Sequence, residues 1–387
     1  QCGDRLSDQA FGFPRGKGKD GTHWFSPGRQ IGSTANIAHR HPAQHRIEPV
    51  RRLCYVRIRK PAQTGQTYQG DISVADSILV RGNDYEFTLE MDGTYADTPI
   101  RYEPGVLEEI YAKVLNNQPF QACEFSLSNY TMMRDRGADW MAAIPVFANR
   151  DFRHSIIWVR QDSPLKSAEQ LRGKRVGVRD YTMTAAVWLR GTLLDEYDTD
   201  WRDIKWYANS EQRFPTLAGV PLELGDGDPE EMLLAGQLDA FISPRPRDLQ
   251  KPLQDRELRP IFRDVASVER EYFARTGIYP INHTVVMRKE LLEEFPNAAE
   301  AIFKAYCAGK ANALKRRIGT TFVPWGKEYW TETMAMFDGD PFPMGLTESN
   351  RNNVNTLLRY LHEQKLISEQ PDIEDLFLPG SVDFKEN

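Results

Sequence analysis

Between Ile144 and Ser155 the chain reads IPVFANRDFRHS, and within six residues it carries Asn149, Arg150, Asp151, Arg153 and His154. An apolar, strand-like run precedes this cluster, and the apolar HSIIWVR follows it. An amide, two guanidiniums, a carboxylate and an imidazole between two buried strands suit recognition of an anionic, oxygen-rich small molecule. A salt-bridged loop uses the same residue types, so one cluster decides little by itself.

Other clusters supply matching groups. EFSLSNY offers Glu124, Ser126, Ser128 and Asn129 at a strand-to-helix turn. DYTMTAAVW (180–188) opens a helix with hydroxyls at Thr182 and Thr184, with Asp or Thr as its N-cap. The free N–H groups of such a helix end can hold a carboxylate, although plain capping accounts for the same residues. ISPRPR brings Ser243, Arg245 and Arg247 out at a strand end, where a guanidinium can clamp a carboxylate. His154 and His283 both fall on loops of this kind, and imidazole is the natural proton carrier near neutral pH. A lone histidine is nonetheless more often structural. No HxH or HExxH pattern, G-x-S-x-G elbow, P-loop or dinucleotide glycine fingerprint is present, so no metal or nucleotide cofactor is expected.

The elements that must position these groups alternate between strand and helix from Ser77 onward. SILVRG, QACEF, WMAAIPVFA, HSIIWVR, Arg175–Val178, DIKWY, LDAFISPR and TGIYPINHTVVMRK read as strands or strand-bearing segments. Residues 103–117, SNYTMMRDRG, a short helix from Ser167, TAAVWLRGTLLDEY, PEEMLLAGQ and most of 289–364 read as helices. The pattern predicts an α/β fold with two lobes and a ligand cleft beyond the carboxyl ends of the strands. All the polar clusters fall on loops at those ends.

Residues 1–70 hold twelve Lys and Arg against four Asp and Glu, so the remainder carries the −14 that brings the chain to its net −6. An acidic body argues against nucleic acid as a partner, because phosphate binding needs clustered cations. The basic segment, with four of the seven histidines, is expected to be disordered or outside the fold. No apolar run approaches the length of a bilayer span, so no membrane partner is expected. Cys2, Cys54, Cys123 and Cys307 match no zinc or disulfide pattern, and no secretory signal is visible, which predicts a cytoplasmic location.

NDYEFT (83–88), ACEFSLSNY (122–130), IPVFANRDFRHS, KRVGVRDYTMTAAVWLRGTL (174–193), LDAFISPRP (238–246), YFARTGIYPINHTVV (272–286), FDGDPFPMGLTESNR and LLRYLHEQKLI follow one another in a recognisable order. Over roughly Ser77 to Phe377 the chain resembles the 4,5-dihydroxyphthalate decarboxylases, a group with the type II periplasmic-binding-protein-like fold. It departs from the family pattern in having DYEFTLE where DYDRTR is common. It also has Ala148, Asn149 and Arg150 where Pro-Ser-Arg is common, and PINH, with Asn282, where PIMH is common.

The resemblance implies a first lobe of 77–165 with 273–387 and a second of 166–272. It implies loss of one carboxylate from an aromatic dicarboxylate, giving protocatechuate and CO2 without an electron-sink cofactor. In that setting His154 or His283 is the proton donor, the other histidine polarises the phenol, and Glu124 or Asp84 orients a histidine or takes a phenolic proton. Arg153 and Arg245 hold the retained carboxylate and the catechol oxygens. Thr182 and Thr184 help them, and Asp84, Tyr85, Ser126, Asn149 and Ser243 complete the binding set. A homo-oligomer is compatible with the sequence. A decarboxylase of another hydroxylated aromatic acid is an alternative within the family, and a solute-binding protein for an aromatic or heterocyclic acid would use the same clamp without chemistry.

Overall fold

The computed structural model describes residues 76–215, 219–316 and 323–386. The expected disordered segment 1–70 lies outside the described residues. Strand β1 (Ile78–Gly82), a hairpin of β2 (Gly93–Tyr95) and β3 (Thr98–Pro104), helix α1 (Leu107–Leu115), β4 (Ala122–Ser126), α2 (Leu127–Asp135) and β5 (Met141–Arg150) come first. The chain then passes to β6 (Ile157–Arg160), β7 (Arg175–Val178), α3 (Thr184–Tyr197), β8 (Lys205–Asn209), β9 (Leu222–Gly225), α4 (Pro229–Leu234), β10 (Ala240–Ile242) and β11 (Leu258–Pro260). Helix α5 (Val265–Thr276) leads back to β12 (Ile281–Arg288). The remainder is helical: α6 (Leu291–Glu294), α7 (Ala298–Lys315), α8 (Gly326–Met336), α9 (Glu348–Glu363) and α10 (Ile373–Leu376). Among the described residues no helix is long and apolar enough to cross a membrane.

The strands form two six-stranded sheets, ordered β2-β3-β1-β4-β12-β5 and β11-β6-β10-β7-β8-β9. Each sheet receives a strand from the far side of the crossing. β12 enters the first sheet antiparallel between β4 and β5. β6 enters the second antiparallel between β10 and β11. Two differences from the sequence reading follow. The run HSIIWVR belongs to the second sheet, so that sheet begins at Ile157, ahead of the start of the second lobe at residue 166 that the resemblance implies. The β2–β3 hairpin fills what reads as a loop, and Pro104-Gly105 delays the helix until Leu107.

Buried apolar faces on both sides of each sheet explain why these strands read as near-continuous apolar runs. Ile78, Val80, Ile144, Val146 and Val285 pack in the first lobe, and Val176, Val178, Leu189, Trp206 and Ile242 in the second. Helix α3 crosses α9 at Gly191, where a Cβ would lie 2.2 Å from the Tyr360 ring, so only glycine permits the approach. The Trp188 indole of the same helix donates to the Ile281 carbonyl at 2.8 Å, tying the second lobe to the start of β12.

The two crossing segments run side by side. Asp151 N–H donates to the Pro280 carbonyl at 3.1 Å, Phe152 packs on Tyr279 with ring centroids 4.7 Å apart, and Ser155 N–H donates to Glu269 at 3.1 Å. Burial pushes the Glu269 carboxyl up to about 7 from its usual 4.5, and the nearby Asp151 charge adds to the rise, while the Ser155 N–H opposes it. A carboxyl raised in the folded state stabilises below the unfolded value and loses that contribution as pH rises through the folded one. Glu269→Gln retains an acceptor for Ser155 and removes the titration. Thermal melts should therefore show the variant equal to wild type near pH 4.5 and a few degrees more stable at pH 8. A variant that melts with wild type at pH 8 would show that the carboxylate is not held at a cost there.

Candidate active site

Insertion of β12 between β4 and β5 assembles the site. Its register places His283 opposite Ser126 on one side and Asn149 on the other, with irregular pairing on either side of His283 along β5. Glu124, Asn149 and His283 thus meet where β4 and β5 end, which is where ligands bind in parallel α/β sheets.

Glu124 is fully buried. Its Oε1 accepts from the Tyr85 hydroxyl at 2.7 Å and from His283 Nδ1 at 2.6 Å, and its Oε2 accepts from the Asn83 N–H at 2.9 Å. Burial alone would raise this carboxyl. The His283 hydrogen bond and charge, followed by the Asn83 N–H and the Tyr85 hydroxyl, outweigh burial and hold it below its usual 4.5. An ionised carboxylate only accepts, so His283 carries its proton on Nδ1 here and leaves Nε2 free to act. Burial, the Glu124 charge and the bond to Glu124 hold the Tyr85 phenol well above its usual 10, so it remains a donor. The carboxylate fits because residue 82 is glycine: a Cβ there would stand 2.5 Å from Tyr102 Oη and 3.0 Å from Glu124 Oε2.

A second cluster joins the lobes. Thr184 Oγ1 lies 2.8 Å from both Ser126 Oγ and Ser128 Oγ, and the Thr182 carbonyl accepts from Ser128 Oγ and Asn129 Nδ2, each at 3.2 Å. Ser126 caps α2 by accepting from Asn129 N–H. Helix α3 differs from expectation: its N-cap is Met183, without a side-chain cap, and Asp180 instead binds the Thr182 N–H and hydroxyl. The freed Thr184 hydroxyl faces the opposite lobe, and the N–H groups of Thr184 and Ala185 precede the first intrahelical bond, from Ala186 N–H to the Met183 carbonyl at 2.9 Å.

The remaining expected residues are distributed as follows. Arg153 is buried and donates to Asn282 Oδ1 and, at 3.4 Å, to Asp151, so both terminal nitrogens are committed to protein groups, while its Nε has no partner among the described residues. Asn149 likewise uses both amide atoms, donating to Tyr85 Oη at 3.0 Å and accepting from Asn282 at 2.6 Å. Arg245 is exposed and pairs with no carboxylate among the described residues, and its N–H donates to Ser243 Oγ at 3.3 Å. Asp84 is exposed and outside the cluster.

His154 stands apart from the Glu124 cluster. It is buried against Tyr272, Tyr197 and Phe262, and neither ring nitrogen has a hydrogen-bond partner among the described residues. Burial, with the Arg275 charge, pushes it down to about 4, so it is neutral at pH 7 and lacks the acidic proton of an imidazolium. Asn83, Asn282 and Tyr102 are site residues that the sequence reading did not select. Asn282 stood out only as the polar neighbour of His283. Among the described residues no group of three or more His, Cys, Asp and Glu is placed to hold a metal ion.

A carboxyl lowered in the folded state stabilises above the unfolded value and loses that contribution as pH falls through the folded one. Glu124→Gln should therefore destabilise the protein at pH 7 by about 1–3 kcal/mol. The deficit should shrink as wild type is acidified below about pH 4.5. Denaturant titrations at pH 7 and pH 4 measure both values, and a deficit independent of pH would show that the carboxyl is not ionised in its pocket.

No protein-family model matches the chain. It is 31% identical over 293 residues to a 4,5-dihydroxyphthalate decarboxylase from Comamonas testosteroni, a match covering 71% of this chain and 87% of that protein. It is 35% identical over 148 residues to a protein of the same name from Pseudomonas putida, covering 36% of this chain and 57% of that protein. Similar solved structures include the periplasmic aliphatic sulphonate binding protein SsuA from Escherichia coli. That match has a TM-score of 0.47 and 13% identity, and covers 78% of this chain and 97% of that one. Another is the Candida albicans CA3427 gene product, which exhibits the generic periplasmic binding protein fold, at TM-score 0.46 and 12% identity, covering 76% and 92%. The strand order itself, with an antiparallel strand received by each lobe across a double crossing, is type II periplasmic-binding-protein-like. By its sequence the chain belongs to the 4,5-dihydroxyphthalate decarboxylase family.

Proposed function

We propose that the protein decarboxylates 4,5-dihydroxyphthalate to protocatechuate and CO2, with His283 as the proton donor. The observation that carries this reading is the His283–Glu124 pair at the strand ends of a chain whose curated relatives are named as that decarboxylase. A ring hydroxyl para to the departing carboxylate pushes electron density to the ipso carbon. Nε2 of the imidazolium delivers a proton to that carbon. The C–C bond then breaks, its electron pair returns to the ring to restore aromaticity, and CO2 leaves. The sum is dicarboxylate plus one proton giving monocarboxylate plus CO2. Glu124 stays ionised throughout and balances the imidazolium charge.

In the same reading the retained carboxylate is bound between the lobes. The Ser126, Ser128 and Thr184 hydroxyls and the N-terminal end of α3 supply donors, and the unpaired Arg245 supplies a cation. Ser243 braces the Arg245 backbone rather than meeting the ligand. The fold also suits a solute-binding protein, and the test separates the two classes.

Purified protein incubated with 4,5-dihydroxyphthalate should release CO2 and protocatechuate, followed by chromatography. His283→Asn should lower kcat by about 100-fold or more while calorimetry still detects substrate binding. His154→Phe, matched to its aromatic surroundings, should retain turnover. Arg245→Ala should chiefly raise KM, by roughly tenfold. Substrate binding by wild type without turnover would reassign the protein to solute binding. Full activity in His283→Asn would remove the proton donor.

A further inference from the structure

Five side chains run in line from Arg153 to Glu124, where His283 joins them. Arg153 donates to Asn282 Oδ1. Asn282 Nδ2 donates to Asn149 Oδ1 at 2.6 Å, Asn149 Nδ2 to Tyr85 Oη at 3.0 Å, and Tyr85 Oη to Glu124 Oε1 at 2.7 Å. His283 Nδ1 meets that same carboxylate oxygen at 2.6 Å. A guanidinium has only donors and an ionised carboxylate only acceptors, so the two ends fix the direction of every bond between them. Turning Asn282 would set its NH2 against the guanidinium. Turning Asn149 alone would set two NH2 groups together and present a carbonyl to Tyr85, drawing the phenolic proton away from Glu124.

We propose that Arg153, Asn282 and Asn149 are positioning residues that orient a one-way hydrogen-bond relay, keeping the Tyr85 proton on Glu124 Oε1. The relay sets how tightly that oxygen holds His283. Two donors share one oxygen, so each weakens the other. With Tyr85 donating, Glu124 grips the imidazole less firmly, and the imidazolium gives up its Nε2 proton more readily. In a chain of bonds pointing the same way each bond also polarises the next, so the effect reaches from Arg153 to the proton donor. The consequence for turnover rests on the decarboxylase reading; the hydrogen-bond direction does not.

Asn282→Asp reverses the relay at constant shape. Its carboxylate accepts from both Arg153 and Asn149 Nδ2, so the Asn149 carbonyl faces Tyr85 and competes with Glu124 for its hydrogen bond. In histidine-labelled full-length protein without substrate, the His283 Nδ1–H resonance should move downfield as Glu124 tightens on it. Asn282→Leu, which breaks the relay without adding charge, should give a smaller displacement in the same direction. Tyr85→Phe should give a displacement at least as large, and adding Asn282→Asp to it should change nothing more, because the path runs through Tyr85. With substrate, Asn282→Asp should lower kcat about tenfold and leave KM within about twofold. An unmoved resonance in Asn282→Asp, or a displacement that persists undiminished in the Tyr85→Phe background, would overturn the proposal. The resonance is read without turnover, so it stands or falls separately from the assignment of the reaction.

Discussion

A carboxylate removed from water must be met by donors on every side, and Glu124 imposes that demand on the first lobe. Its negative charge is tolerable in a fully buried position only because an imidazole, a phenol and a backbone N–H converge on it. Those three donors come from two stretches of chain separated by the whole second lobe. The Asn83 N–H and Tyr85 belong to the loop after β1, and His283 belongs to the strand that returns from the other sheet. Satisfying the charge therefore requires the complete double crossing, and the His283 imidazole is positioned by the same contact that makes the buried charge stable.

Beside the start of α3 the two lobes meet through neutral groups. Hydroxyls of Ser126, Ser128 and Thr184 share their protons across the boundary, with the Thr182 carbonyl beside them. Such bonds are individually modest and exchange readily for the oxygens of a ligand. The charged cluster stays inside one lobe, where exchange would be costly. The buried charge is thus held within one lobe, while the hydroxyl contacts beside α3 are of a kind that a guest can replace.

Much of this was legible in the chain. Glu124 and His283 stand in polar stretches at strand ends, and the alternation of strands and helices gave the α/β class because apolar runs of strand length leave few alternatives. Sheet membership was less visible. Nothing in HSIIWVR distinguishes a strand that stays in the first sheet from one that enters the second, since both positions are buried on two faces. The β2–β3 hairpin is short, half exposed and interrupted by turn residues, so its pairing depends on β1 rather than on its own sequence. His154 shows the limit most clearly. Its neighbours Tyr197, Phe262 and Tyr272 lie far along the chain, so the apolar surroundings that keep it neutral cannot be read from the polar residues beside it. Asn282 was noticeable beside His283, but its value lies in a partner at Asn149 that only the register of β12 on β5 reveals.

The space that residue 82 leaves open has a meaning for how this protein can change over generations. Tyr102 and Glu124 fill the space beside Gly82 so closely that a side chain gained there would displace one of them. Tyr102 is itself anchored, its hydroxyl donating to the Asn83 carbonyl at 2.6 Å, next to the N–H that serves Glu124. Drift at residue 82 is therefore coupled to its neighbours: a methyl group gained there must be matched by movement or lost volume at Tyr102 or Glu124 in the same lineage. Descendants that keep the buried carboxylate inherit the glycine with it.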